Sequence, residues 1–137
     1  MSTEDLERAS LLERHESHVK AWNDFDLGAL GEIYDPGCHI FDTIPPPAFQ
    51  DLREFLEHLT PRLQAFTRFS LRTFDQMVRI NEQHDASIGW IASRYEVEAR
   101  RGAGVHRRSG RWTEIYEKKG DGWKLIHLHS SDDPAEG

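Results

Sequence analysis

The sequence predicts an α+β domain: three N-terminal helices gathered on one face of a curved antiparallel sheet built from the second half of the chain. Three observations carry this prediction. Apolar residues recur at a period of about 3.6 up to residue 66 and at a period of about 2 beyond it. A capping residue stands before each helical stretch. A Gly120-Asp121-Gly122 turn divides two alternating segments near the end. At 137 residues the chain is about one domain, residues 1–137 with an ordered core of about 5–132.

The elements follow in order. Thr3 is placed to cap a first helix, with Glu4 and Asp5 at the positive end of its dipole. Ala9, Leu12, His15, Val19 and Trp22 form its apolar stripe. Asp26 caps a short second helix, Leu27–Ile33, which Pro36-Gly37 ends. Residues 38–43 read as a short strand broken by Pro45-Pro46-Pro47. Asp51 and Glu54 make a capping box for a third helix, whose stripe is Leu52, Phe55, Leu56, Leu59 and Leu63, and Thr60-Pro61 ends or kinks it. Four long strands follow: Phe69 to Ile80, a turn at Gln83-His84-Asp85, Ile88 to Ala99, a Gly-rich loop, Gly110 to Lys118, and Trp123 to Ser131. Apolar residues lie on both faces of these strands and helices cover only one, so a homodimer through the outer face of the sheet is expected.

Composition excludes several roles. Seventeen Lys+Arg against 24 Asp+Glu give a net charge of −7, which disfavours general binding to nucleic acid or to an anionic membrane surface. The single cysteine, Cys38, forms no internal disulfide and suits a reducing compartment. The charged N-terminus lacks a signal-peptide pattern, and no apolar run approaches about 18 residues, so a cytoplasmic location is expected. Eight histidines and four tryptophans stand out.

The order of elements, the segment HIFDTIPPPAFQDLREFL and the ending GRWTEIYEKKGDGWKLIHLHSS resemble the SnoaL-like branch of the nuclear transport factor 2-like superfamily. The same superfamily holds the ketosteroid isomerases and the association domain of calcium/calmodulin-dependent kinase II. The resemblance spans about residues 5–132 and implies a cone-shaped fold with the three helices on the concave face of the sheet. It implies a small-molecule-binding protein, a cofactor-independent isomerase, cyclase or dehydratase acting on an apolar carbonyl compound. The alternative it carries is a non-catalytic association or ligand-sensing module, like the kinase association domain.

Asp42 is the first candidate for chemistry. It lies between His39-Ile40-Phe41 and Ile44-Pro45-Pro46-Pro47; apolar surroundings raise a carboxyl pKa and suit it to remove a proton beside a carbonyl. The resemblance places an isomerase base at this position. The alternative role is to accept backbone hydrogen bonds in the turn. The isomerases also hold an enolate with a helix tyrosine and a protonated aspartic acid on the sheet. Here the helix offers His15 and His18, of which His18 is the candidate donor, while Glu96 and Glu114 lie on the strands without a clear placement.

His127 and His129, two apart on a strand, point to one side with Trp123 and Leu125. If that side is concave, they enter the pocket near Asp42 as acid or base. A metal site needs a third ligand, which no spacing marks, so no metal or other cofactor is expected. Candidate pocket residues are Trp22 and Tyr34 on the helical segment, Trp90, Trp112 and Tyr116 on the strands, and Phe41 and Phe55 at the mouth. The expected ligand is thus small and apolar or aromatic. Arg94, mid-strand, either pairs across the sheet or reaches into the pocket. Residues 100–111 carry five arginines and no acid, either as a solvated loop or as a clamp for an anionic group.

Overall fold

A computed structural model of the chain describes residues 2–43, 48–83, 86–120 and 122–134, with the side chains of 82, 83 and 86 excepted. Helix α1 spans Thr3–Asn23, α2 Leu27–Ile33 and α3 Leu52–Gln64. Strands are β1 Tyr34–Phe41, β2 Ala48–Phe49, β3 Arg68–Gln83, β4 Ala86–Arg101, β5 Gly104–Lys119 and β6 Gly122–Asp132. They form one curved, unclosed sheet in the order β2-β1-β6-β5-β4-β3. All neighbours are antiparallel except β1 and β6, which run parallel. The α+β cone with helices on its concave face is therefore the observed architecture. The proline run at 45–47, the turn at His84-Asp85 and Asp121 lie outside the described residues.

The helix starts follow local chemistry. Asp26 accepts from the Ala29 amide at 3.0 Å, and Asp51 accepts from the Glu54 amide at 2.9 Å. Glu54 in turn accepts from the Gln50 amide at 3.0 Å. The first cap is Ser2 rather than Thr3, because Ser2 and Asp5 complete a reciprocal capping box. Pro61 does not end α3, which continues to Gln64. The buried face of α1 is Leu11, His15, His18 and Ala21, while Ala9 is exposed. The predicted stripe is thus rotated, because two histidines rather than Leu12 and Val19 face the sheet most closely.

Two irregularities shape the sheet. In β3 the register with β4 shifts between Phe74 and Met77, and Asp75 takes a left-handed conformation with φ 54°. In β6, Tyr116 pairs with Leu125 but Ile115 pairs with His127, so Ile126 is an extra residue. An extra residue moves every later side chain to the opposite face. The segment between Ala99 and Gly110 is not a loop. β4 and β5 pair through it down to Arg101 and Gly104, with a two-residue turn whose Gly102 has φ 59°. The arginines there are strand residues.

The core lies between the helices and the inner face of β1, β6, β5 and β4. It contains Leu11, Leu30, Ile40, Phe55, Ile91 and Leu125, each at most 1% exposed. α1 rests on the sheet at Gly89, where an added Cβ would meet Leu11 at 2.6 Å. No helix of the described residues is long and apolar enough to cross a membrane.

Candidate functional site

A cavity of about 1030 Å³ opens between the end of α3 and the inner face of β3–β6. Leu59 and Leu63 of α3, Phe66 and Phe69 beyond it, and Leu71 and Val97 of the sheet make its apolar wall. Trp22 and Trp112 also line it, and Asp42 with Thr43 enters from the end of β1. This size and lining suit a small organic molecule.

Asp42 accepts from the Thr43 amide at 2.6 Å and from the Thr43 hydroxyl at 3.3 Å. Burial raises its pKa above the ordinary 3.8, against the opposing effect of the Thr43 bonds and the charges of Arg108 and Arg62. A carboxylate held this way is a stronger base than one in water. Tyr95, across the cavity, donates to Asp132 at 2.8 Å. Its ring lies over Gly110, where any Cβ would meet Ser131 O at 2.1 Å and Tyr95 Cε1 at 2.9 Å. The Trp112 indole nitrogen is buried and has no hydrogen-bond partner among the described residues.

Behind the two tryptophans lies a second polar group, closed off from solvent. Glu114 on β5 is 0% exposed. One carboxylate oxygen meets His15 Nδ1; the other meets His18 Nδ1 at 3.0 Å and the Tyr116 hydroxyl. His18 Nε2 meets the Tyr34 hydroxyl at 2.7 Å and receives the Trp22 indole N–H at 3.2 Å. An Nε2 that accepts from Trp22 leaves the proton on Nδ1, where it is donated to Glu114. His15 Nε2 meets Thr73 Oγ1 at 2.9 Å. Burial opposes ionisation of Glu114, but the hydrogen bonds from His15 and His18 and the electrostatic attraction of the two rings outweigh it and bring its pKa to about 2. Burial and the neighbouring charges push both Tyr34 and Tyr116 well above the ordinary 10. The cluster is an ionised carboxylate with its donors satisfied.

The predicted residues divide three ways. Asp42, Trp22 and Trp112 meet in the cavity. His18, Tyr34, Phe55 and Tyr116 are in the closed core, with His18 touching the cavity wall through Trp22 and Trp112. His127, His129, Phe41, Trp90 and Arg94 are on the outer face of the sheet and do not line the cavity. The expected meeting of Asp42 with His127 and His129 therefore fails, and the extra residue Ile126 is the reason: Leu128 and Ser130 face inward in their place. His127 Nδ1 donates to the His39 carbonyl at 2.9 Å, and its ring stacks on His39. Arg94 pairs with Asp133 at 3.6 Å and lies over Phe74.

Glu114 is the residue that the sequence reading left unplaced. Its signal was present: Trp112, Glu114 and Tyr116 alternate, so the acid shares a face with two aromatic core residues. Cys38 is buried, and loss of solvation pushes its thiol up to about 12, which leaves it inert. Among the described residues no three His, Cys, Asp or Glu side chains are arranged to hold a metal ion.

Comparison with known proteins agrees with this fold. The SnoaL-like domain matches residues 14–136. The chain belongs to the SnoaL-like domain family. No curated protein matches its sequence. Among solved structures, a proposed scytalone dehydratase from Novosphingobium aromaticivorans is similar over 96% of this chain and 87% of its own, with TM-score 0.82 and 11% identity. A proposed dehydratase of the NTF2-like family from Streptomyces avermitilis is similar over 97% and 100%, with TM-score 0.77 and 15% identity. The CaMKII hub of S. rosetta is similar over 92% and 96%, with TM-score 0.74 and 19% identity. At these identities the likeness to solved structures is one of fold.

Proposed function

We propose that this SnoaL-like domain binds a small, largely apolar carbonyl compound in its cavity and moves a proton on it without a cofactor. The observation that carries the reading is Asp42: a half-buried carboxylate in the wall of a largely apolar cavity, where burial raises its pKa. Asp42 takes a proton from the carbon beside the carbonyl. The electron pair moves onto the carbonyl oxygen and returns to carbon when the proton is given back. Return of the proton to another carbon is an isomerisation; loss of a β-hydroxyl together with that proton is a dehydration. His18 takes no direct part; through Trp22 it fixes one wall of the site. Dehydratase names among similar structures add support. The buried, unpaired Cys38 fits a reducing, cytoplasmic setting.

The test needs no natural substrate. In D₂O, the wild-type protein is expected to speed hydrogen–deuterium exchange beside the carbonyl of 2-tetralone, followed by NMR. Asp42→Asn is expected to lower that rate about 10²–10⁴-fold. Equal rates for the two proteins, or no rate above buffer, would overturn the reading.

A second reading concerns assembly. Met77, Trp90 and Phe41 are 53%, 37% and 41% exposed on the outer face of the sheet, beside Ile115, His127 and His129. We infer that a second copy covers this face, giving a homodimer, as the likeness to an association hub also suggests. Sedimentation equilibrium is expected to give a dimer that Trp90→Asp weakens; a monomer at all concentrations would refute it.

A further inference from the structure

The mouth of the cavity differs in character from its interior. Four of its lining side chains are the arginines 62, 101, 107 and 108, and one, Asp42, is a carboxylate. In a chain of net charge −7 this is a local reversal of sign. Strand geometry explains how it arises. On β4 the odd-numbered residues face inward, so Tyr95, Val97, Ala99 and Arg101 form one row. On β5 the even-numbered residues do so, and His106, Arg108 and Trp112 continue the same surface. Arg101 and Arg108 are therefore the outer rows of the apolar wall, Arg62 comes from α3, and Arg107 reaches the rim from the opposite strand face.

These cations are not equivalent. Arg108 donates to Asp132 at 2.7 and 3.2 Å, and Arg107 donates to Glu98 at 3.3 Å. Arg101 makes no ion pair or side-chain hydrogen bond among the described residues, although it lines the cavity. His106 beside it supplies a further ring N–H. A guanidinium is planar and matches a carboxylate with two parallel hydrogen bonds. One uncommitted guanidinium suits a single negative charge better than a phosphate dianion.

We propose that the ligand is an amphipathic acid, with its apolar body in the cavity and a carboxylate held at the mouth by Arg101 with His106. This deepens the proposed function and rests on it: the head group at the mouth fixes which carbon of the body meets Asp42.

The test compares 4-phenylbutanoate with its uncharged amide, 4-phenylbutanamide, by isothermal titration calorimetry at low salt on the full chain. The acid is expected to bind at least about tenfold more tightly, and Arg101→Gln to bring it down to the affinity of the amide, with Arg101→Lys restoring part of the difference. Equal binding of acid and amide overturns the carboxylate proposal and leaves the cavity reading standing. Tighter binding of acid that Arg101→Gln does not change overturns the role of Arg101. Tighter binding of 4-phenylbutyl phosphate than of the acid overturns the choice of head group. Binding of none of the three overturns the proposal together with the cavity reading.

Discussion

Replacing Glu114 by glutamine removes the charge from the buried cluster while keeping its shape. The carboxylate accepts from His15, His18 and Tyr116 and is 0% exposed. A glutamine amide presents two donors to groups that are themselves donors, so at least one polar group is left unpaired. The fall of the Glu114 pKa from 4.5 to about 2 corresponds to about 3 kcal/mol, at about 1.4 kcal/mol per tenfold in acidity. Breaking a buried pair costs a similar amount, about 3–5 kcal/mol. We therefore expect Glu114→Gln to lower unfolding stability by about 3 kcal/mol at pH 7, read by urea denaturation with the m-value unchanged. The sign with pH follows from a depressed carboxylate. Its contribution is fully present above the unfolded value near 4.5 and is lost as pH falls towards about 2. The gap between wild type and variant should close across that interval. A loss below about 1 kcal/mol, or a gap that does not change with acid, would refute the argument that this carboxylate is ionised and held by the two histidines.

Three further outcomes are expected. Tyr116→Phe removes one of the donors to Glu114 and should cost about 1–2 kcal/mol in the same assay. Gly110→Ala forces a Cβ against Ser131 O and the Tyr95 ring, and should cost about 2–3 kcal/mol in urea denaturation. Asp42→Asn should leave stability at pH 7 unchanged or higher: a carboxyl whose folded pKa is raised binds its proton more tightly when folded, so its ionisation above 3.8 weakens the fold. Thermal unfolding of the two proteins at pH 7 compares them directly.

Much of the architecture was legible because it is set by local chemistry. Asp26 and Asp51 cap the helices they precede, and the change of period at residue 66 marks the start of the four long strands. The place of Asp42 beside the cavity follows from its position at the end of β1. The faces of the strands were not legible. A single extra residue at Ile126 puts His127 and His129 outside, and period-two counting does not see it. The arginine-rich segment read as a loop because of its glycines, yet only Gly102-Ala103 turns and the rest is strand. The Glu114 cluster joins residues 96 and 99 positions apart in the chain. Its polar members conceal themselves: His15 reads as part of an apolar stripe and His18 does not, and neither shows its partner until Glu114 is placed between them.

The central claim is that Asp42 is a desolvated base in a ligand-binding cavity. Titration of its side-chain carboxyl carbon by ¹³C NMR, with and without 4-phenylbutanamide, tests this most directly. The account predicts a pKa above 3.8 in the free protein and a further rise when the ligand excludes water. A pKa at or below 3.8 that the ligand does not move would contradict it.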